Sequence, residues 1–377
     1  YTTEESSAAS DVYKRQLLIS PDREIVMTSA ADISTTLADQ VKTAFSCRQP
    51  LRINAGNSKA FYGNTIEGDV LNVNAHRGII EYQPSELVIT ARSGTPLNEI
   101  ETALAENNQM LAFEPPLHTE HATFGGAIAT GLSGPRRAFT GAARDFVLGT
   151  TVINGKGEIL SFGGQVMKNV AGYDVSRLMT GAQGTLGVLL DISVKVLPLA
   201  EKEITLVFEF DQQTAHDQLR QWILQGHAVS ASCFTNNILS VRLSSTESSV
   251  NHSISELGGE ITDNNIWIQL RHQTHPFFTD NTRLWRLSVP PATEPVLQDH
   301  NQLIEWGGAL RWIAGEDAIY EQAAALNGHA TRYALHTNSD SDPFQPLGPT
   351  MLKLHRQLKQ AFDPELILNR GRTYSSL

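Results

Sequence analysis

Cysteine is scarce in this sequence, with Cys47 and Cys233 as the two representatives among 377 residues. Two thiols are too few for a framework of disulfides, and too few for the four thiolate ligands of an iron–sulfur cluster. Disulfide-stabilised domains and chains that carry their own cluster are therefore excluded. The same scarcity predicts a reducing, cytoplasmic setting.

Long apolar runs and an excess of positive charge are missing too. No segment approaches the roughly 18 to 20 apolar residues of a membrane-spanning helix, and no signal peptide opens the sequence. The 29 basic and 40 acidic side chains give a net charge of −11, which disfavours nucleic acid and anionic membrane surfaces. We therefore expect any membrane contact to be peripheral and to occur through partner chains.

Two common nucleotide-binding motifs are also missing. The sequence contains neither the GxGxxG pattern of Rossmann domains nor the GxxxxGK[S/T] pattern of nucleoside triphosphatases. Glycine is nevertheless plentiful: 28 glycines and 16 prolines are spread over a chain that is 41% hydrophobic, which is typical of a globular protein. A length of 377 residues favours two domains, or one domain that carries a large insertion.

We predict an α+β protein with two main domains and a returning tail. Residues 1–26 form a polar lead outside the fold, and Met27 is a candidate native start. Residues 27–200 alternate short strands, helices and glycine-rich turns. Residues 201–361 predict a smaller cap domain that contains an antiparallel sheet with helices on one face, in which 266–270 is a strand. Residues 362–377 follow the last helix.

Three glycine-rich stretches carry the candidate chemistry. The first, residues 54–61, follows a predicted strand and offers backbone N–H groups to a pyrophosphate. A structural turn is an equal alternative there, because Gly and Asn are ordinary turn residues. The third stretch comprises 168–174 and then 181–188, where glycines at the start of a strand let the edge of a flat ligand approach.

The second stretch runs from Thr123 to Gly149 and is the most unusual of the three. It begins TFGGAIATG, and its small side chains would let a flat ligand lie against the main chain, with N–H groups free to meet phosphate oxygens. A long glycine-rich surface loop is the alternative. Ordered loops of this length usually have a function, which favours the binding interpretation.

Together these stretches resemble the FAD-binding fold of the vanillyl-alcohol oxidase or p-cresol methylhydroxylase (PCMH) type, and within it the FAD-binding E subunits of bacterial glycolate oxidases. The resemblance is strongest over residues 51–198. Its more specific segments are 57–61, 134–137, 144–149, 167–174 and 306–312. Residues 362–372 resemble the closing motif of that family, in which the chain returns from a cap domain to the flavin.

The resemblance implies a noncovalent FAD. The first and second stretches would hold its pyrophosphate, the third would meet the ring and ribityl chain, and the tail would place a cation near the ring. The first loop has no His or Cys for covalent attachment, and His118 and His121 are the nearest candidates for it. The implied cofactor-binding residues are Ala55, Gly56, Asn57, Ser58, Lys59, Pro115, Thr123, Gly125, Gly126, Ala129, Thr130, Gly141, Val147, Gly184, Thr185, Gly187, Val188, Asn369 and Arg372.

The resemblance also implies a small 2-hydroxyacid substrate, which requires a base for its hydroxyl proton and a cation for its carboxylate. The candidates are Arg311, His329, Arg332 and His336, and His329 and Arg332 are expected to face one cleft. Structural roles for these side chains are the alternative. Relatives that act alone carry a Gly-Glu-His-Gly-like motif and further metal-binding histidines; this motif is missing from the C-terminal half, so we predict no catalytic metal.

Several functions stay open on the sequence. In the first, the chain oxidises glycolate to glyoxylate as a subunit of a complex, and passes electrons to an iron–sulfur subunit beside a larger flavoprotein subunit. In the second, it is an assembly or electron-relay subunit whose flavin never meets the substrate. A third alternative is a stand-alone dehydrogenase for D-lactate or another D-2-hydroxyacid. Scarce cysteine implies that any cluster belongs to a partner.

Overall fold

The computed structural model describes residues 31–164, 174–297, 299–315, 318–334 and 342–377. The predicted lead with Met27, residues 168–173 of the third stretch, and the candidate His336 lie outside the described residues. Within these ranges no helix is long and apolar enough to cross a bilayer.

Short helices and strands alternate along the described residues. The helices are α1 (Ser34–Cys47), α2 (Leu97–Ala105), α3 (Phe124–Thr130), α4 (Arg137–Thr140), α5 (Ala143–Phe146), α6 (Val175–Met179), α7 (Gln212–Leu224), α8 (Glu247–Leu257), α9 (Asn265–His272), α10 (Pro276–Thr279), α11 (Tyr320–Ala325) and α12 (Pro349–Phe362). The strands are β1 (Leu51–Asn54), β2 (Asp69–Asn72), β3 (Ile79–Gln83), β4 (Val88–Arg92), β5 (Gln109–Met110), β6 (Val147–Ile153), β7 (Ile159–Gly163), β8 (Val188–Lys195), β9 (Leu197–Pro198), β10 (Lys202–Glu209), β11 (Val229–Thr235), β12 (Ile238–Ser245), β13 (Glu260–Thr262), β14 (Arg283–Ser288), β15 (Gln302–Glu305), β16 (Leu310–Ala314) and β17 (His329–Ala334).

The N-terminal part is built on a five-stranded antiparallel sheet in the order β3-β4-β8-β6-β7, beside the parallel pair β1 and β2. Strand β8 is central and mostly buried on both faces, which explains its nearly continuous apolar sequence. Leu97 of α2 and Phe124 of α3 are fully buried in the core that covers this sheet. Helix α3 and the first loop therefore sit on a rigid base.

The C-terminal part is built on an eight-stranded antiparallel sheet in the order β13-β10-β12-β11-β15-β16-β14-β17. On one face, Trp306, Trp312 and Tyr333 pack against Tyr62 and Leu132 of the N-terminal part. The opposite face packs against helices, including α7, α8 and α11. This mixture of antiparallel sheets and helices confirms the predicted α+β fold class, and the aromatic face is the seam between the two sheets.

One predicted strand is a helix. Residues 266–270 belong to α9, in which Trp267 and Leu270 are buried while Ile268 is 57% exposed. Burial three residues apart is the period of a helix and not of a strand. The prediction was wrong because a five-residue apolar run does not by itself distinguish the two structures.

Four charged side chains fix the two sheets against each other. Arg136 lies 2.6 Å from Glu203 and 3.4 Å from Glu114, and Arg242 lies 2.9 Å from Glu114. Arg136 and Arg242 are 6% and 3% exposed, so each buried cation has a carboxylate close by. The network positions residues 114–137, which include α3, relative to the C-terminal sheet.

The C-terminal tail returns to β1 of the N-terminal part. The backbone of Leu51 donates to the carbonyl of Ile367 and accepts from Asn369, at 2.7 and 3.0 Å. The buried ammonium of Lys359 donates to the carboxylate of Asp363 and to the carbonyls of Thr185 and Leu368, each at 2.7 Å. The tail is thereby held beside the third glycine-rich stretch.

Candidate functional site

The three glycine-rich stretches meet at one cleft, although they are far apart in sequence. The cleft has about 1170 Å³ of empty space, a figure that includes its open mouth. The predicted cofactor residues that line it are Ala55, Gly56, Asn57, Ser58, Lys59, Thr123, Gly125, Gly126, Ala129, Thr130, Gly184, Gly187 and Arg372.

The first loop presents free donors to this cleft. Within the described part of the chain, the backbone N–H groups of residues 56–59 make no hydrogen bond. A Cβ on Gly56 would lie 1.5 Å from the carbonyl oxygen of His121, so glycine is required where the two segments touch. The loop is thus packed tightly from behind while its donors face the cleft, which favours binding over a purely structural turn.

The second stretch lines the cleft with small residues, but its N–H groups are already hydrogen-bonded. The side chain of Thr123 caps α3 by accepting from the N–H of Gly126 at 3.2 Å. The N–H groups of Phe124 and Gly125 donate to the carbonyls of Thr95 and Ser93, each at 2.8 Å. The expectation of free N–H groups is therefore wrong for this turn. A Cβ on Gly125 would lie 2.5 Å from Ser93, which shows how closely α3 approaches the end of β4.

Two polar groups in the cleft wall lack partners that their burial demands. Lys59 is 6% exposed, and its ammonium has only the hydroxyl of Ser58 nearby, at 3.5 Å, among the described residues. Burial, with a smaller effect of Arg271, lowers the pKa of Lys59 from 10.5 to about 8. The buried hydroxyl of Ser93 has no hydrogen-bond partner there either. An anionic, hydrogen-bonding ligand would satisfy both groups.

The tail closes one end of the cleft. Arg372 donates to the carbonyls of Asn64, Ala60 and Tyr62 at 2.6, 2.8 and 2.9 Å, and burial lowers its pKa to about 10. The side-chain amide of Asn369 accepts from the N–H of Ile53 at 2.8 Å and donates to the carbonyl of residue 183 at 2.7 Å. Arg372 thus lines the cleft, whereas Asn369 ties its walls together from behind.

Six of the predicted cofactor residues lie outside the lining: Pro115, Gly141, Val147, Thr185, Val188 and Asn369. Their roles in the fold are visible: the carbonyl of Pro115 accepts from Arg271, and Val147 and Val188 are buried at the starts of β6 and β8. Asn54 and Ala60 of the first stretch and Gln183 of the third also line the cleft. Lining residues that the sequence did not single out are Arg52, Ile53, Thr65, Ile66, Val73, Ser93 and Leu189. These residues belong to no recognisable motif. The sequence indicated this cleft only through the nearby glycine-rich stretches.

The predicted catalytic side chains do not come together. In β17, residues 329 and 332 lie on opposite faces, because side chains alternate along a strand and their separation is odd. Arg332 is paired in register with Trp285 on the helix-covered face, whereas Tyr333 belongs to the aromatic seam. The expectation that His329 and Arg332 face one cleft is therefore wrong.

Arg311 is buried and bonded to backbone carbonyls, so it is not available to bind a substrate. It is 1% exposed, and its guanidinium donates to the backbone carbonyls of Gly308 and Glu294 at 3.3 and 3.0 Å, and to that of Thr293. These bonds hold the loop before β15, so Arg311 is a satisfied structural arginine. Among the described residues no group of three His, Cys, Asp or Glu side chains is arranged to hold a metal ion.

Comparison with known proteins agrees with this geometry. A family described as an FAD binding domain matches residues 21–163. The chain is 47% identical to the glycolate oxidase subunit GlcE of Escherichia coli over 354 residues, which cover 93% of this chain and 100% of that protein. It is 32% identical to a D-lactate dehydrogenase of Anaerostipes hadrus and 31% identical to the glycolate oxidase subunit GlcD of Bacillus subtilis. These two matches cover 38% and 41% of this chain, and 30% and 32% of those proteins.

Solved structures show the same fold at low sequence identity. p-Cresol methylhydroxylase with substrate bound aligns with a TM-score of 0.69 at 14% identity, covering 91% of this chain and 87% of that one. An alkyldihydroxyacetonephosphate synthase aligns with a TM-score of 0.62 at 12% identity, covering 89% and 74%. The predicted PCMH-type fold and the FAD cofactor are thereby confirmed. The chain belongs to the family of the glycolate oxidase subunit GlcE and carries an FAD-binding domain.

Proposed function

We propose that this chain is the FAD-binding subunit of a complex that oxidises glycolate, or a closely related 2-hydroxyacid, to the 2-oxoacid. The proposal rests on the cleft, in which Lys59, the hydroxyl of Ser93 and the N–H groups of 56–59 are available to bind an anionic ligand. The sequence similarity to a glycolate oxidase subunit, which extends over 93% of this chain, supports a 2-hydroxyacid as the substrate. The weaker relatives, named as GlcD and D-lactate dehydrogenase, share that class.

In this proposal residues 27–200 bind FAD, 201–361 form the cap and 362–377 close the site. The N–H groups of 56–59 and the ammonium of Lys59 hold the pyrophosphate, since both can contact an anion without losing an internal bond. Gly125 and Gly126 let the ligand lie against α3, and Arg372 covers the opposite end. The bound FAD, which we expect to be noncovalent, supplies the hydride acceptor.

Any iron–sulfur cluster that accepts electrons from the flavin belongs to a partner, because the two cysteines of this chain cannot bind one. We propose an iron–sulfur subunit as that partner, within a complex that also contains a larger flavoprotein subunit. The name of the related GlcE, a glycolate oxidase subunit, supports an assembly of several chains.

Anaerobic reduction of the purified chain tests the proposal. We expect the chain to carry FAD, seen as its visible absorbance, and we expect that absorbance to bleach on addition of glycolate, with D-lactate as the comparison substrate. Bound flavin that stays oxidised would instead favour an assembly or relay subunit. A chain that takes up no FAD at all would overturn the assignment of the cleft.

The affinity for FAD should fall as the pH rises above about 8. Lys59 has a pKa of about 8 in the free cleft, and a bound pyrophosphate would favour the ammonium and raise that pKa. The pairing is therefore complete below pH 8 and weakens by up to about tenfold per pH unit above it. Fluorescence titration of FAD between about pH 7 and 9.5 measures this, and Lys59→Gln is expected to bind weakly and without the slope. A flat wild-type profile would rule out Lys59 as the partner of the anion.

A further inference from the structure

A second cationic site lies on the seam between the two sheets. The guanidinium of Arg137 stacks 4.4 Å from the ring centre of Trp306, and that of Arg286 stacks 5.1 Å from the same ring. Trp306 is itself fixed, because its indole N–H donates to the carbonyl of Gly134 at 3.0 Å. Arg137 belongs to α4 and Arg286 to β14, so only the docking of the two sheets brings these cations together.

Neither guanidinium is neutralised by the surrounding protein. In the ranges that the structure describes, the guanidinium groups of Arg137 and Arg286 make no hydrogen bond or ion pair, and they lie over aromatic rings. The adjacent Arg136 shows the contrast, since it lies within ion-pair distance of Glu114 and Glu203. Two unpaired cations on one ring are costly unless an anion joins them.

The acidic groups near the pair do not cancel its charge. Glu305 is 4% exposed and accepts from the indole N–H of Trp312 at 2.8 Å. Burial raises the pKa of Glu305 to about 7, so about half of it is uncharged at neutral pH. Asp145 acts on Arg137, but Arg144 opposes it with a positive charge. The cluster therefore keeps an excess of positive charge.

One face of β17 runs from the arginine cluster towards the proposed FAD site. His329 lies on the seam face of β17, and much of its surface is exposed. Desolvation of the part of the ring that packs against the protein lowers its pKa, and the positive charges of Arg286 and Arg137 lower it further. Two positions along the same face, the hydroxyl of Tyr333 lies 3.5 Å from His118 and its ring lies 5.2 Å from Phe61. Phe61 is two residues from Lys59 of the cleft. The seam face of β17 thus connects the exposed His329 with residues next to the lining of the proposed FAD cleft.

We propose that Arg137 and Arg286 form the carboxylate-binding subsite for the 2-hydroxyacid. Guanidinium forks match the planar carboxylate, and stacking on Trp306 fixes both forks before the substrate arrives. In this proposal Arg137 and Arg286, and not the predicted Arg311 and Arg332, are the cations that bind the substrate carboxylate. The substrate class rests on the proposed function, whereas the preference for a small anion rests on the cluster itself.

Calorimetric titration with oxalate tests the subsite. Oxalate has the two-carbon size of glycolate but no C–H bond to oxidise, so binding is measured without turnover. Arg137→Gln and Arg286→Gln should each weaken oxalate binding by at least about 30-fold, because each removes charge-assisted hydrogen bonds. Arg286→Lys should recover part of the loss through charge alone. Arg220→Gln, at an exposed position of α7, is the matched control and should bind like wild type.

The outcomes separate the subsite from the proposed function, because the FAD content of every variant is measured by absorbance. Wild-type affinity for oxalate in both glutamine variants overturns the subsite, and so does a wild-type protein that does not bind oxalate. Loss of oxalate binding with normal FAD content supports it. If the wild type lacks FAD but binds oxalate through both arginines, the subsite stands and the proposed function falls. Should one variant fail to fold, the other still decides, since Arg137 belongs to a helix of the N-terminal part and Arg286 to a strand of the C-terminal sheet.

Discussion

Gly126→Asp is expected to abolish FAD binding at micromolar concentrations while leaving the chain folded. A Cβ at this position would meet only the hydroxyl of Thr123 within 4 Å, at 3.1 Å, so the backbone accepts a side chain. The new carboxylate would project into the cleft beside the proposed pyrophosphate. Two charges about 4 Å apart at a partly buried site repel by about 4 kcal/mol, which weakens binding about 1000-fold.

Fluorescence titration of FAD into the apo chain measures this loss, and thermal unfolding of the same apo samples checks the fold. Gly348→Asp provides the matched control: it adds the same charge at the N-cap of α12, where a Cβ meets nothing within 4 Å. Gly126→Ala should weaken FAD only modestly, because it adds volume without charge. If Gly126→Asp keeps wild-type affinity, the pyrophosphate does not lie against α3.

Each of the three glycine-rich stretches has a local signature, and the family resemblance predicted that they meet at one cofactor. Glycine at 56 and 125 is required by close contacts with His121 and Ser93, so the absence of side chains is visible in the sequence before the contact partner is known. The partners themselves carry no such signature. Ser93 follows an ordinary strand, and its role in the wall appears only once α3 packs against it.

The choice of arginines was not predictable from the sequence. His329 and Arg332 are neighbours in a short motif, but strand alternation separates them, and the sequence pattern does not state which face meets the flavin-binding part. Arg137 lies in a helix of the N-terminal part and Arg286 in a strand of the C-terminal sheet, and both contact Trp306, whose indole N–H donates to the carbonyl of Gly134. Proximity of this kind is set by how two sheets dock, which local sequence does not encode.

Lys359→Met should cost the protein about 3 to 5 kcal/mol of stability, because it breaks a buried ion pair on one side. Lys359 is 3% exposed and Asp363 is fully buried. Without the ammonium, the carboxylate stays buried, and among the described residues it keeps only the N–H groups of Ile367 and Leu368 as partners. The carbonyls of Thr185 and Leu368 lose the ammonium as a donor. The cost therefore includes unsatisfied polar groups as well as an uncompensated charge.

The change should also reach the FAD site through the tail. Asn369 and Arg372 follow the ion pair within one short segment and bond to both walls of the cleft, so loosening that segment should weaken FAD binding by a smaller factor than Gly126→Asp does. Urea unfolding of the apo chain and FAD titration measure the two effects. Lys42→Met, which removes an exposed ion pair with Asp39, is the matched control and should change neither.

A double variant separates the ion pair from the tail it holds. Lys359→Met combined with Asp363→Leu removes both charges, so it should recover part of the stability lost in Lys359→Met. The N–H groups of Ile367 and Leu368 then lose their acceptor, so recovery should be incomplete, and FAD affinity should stay below that of wild type. If the double variant is no more stable than Lys359→Met, the loss comes from the bonds to Thr185 and Leu368 and not from the stranded carboxylate.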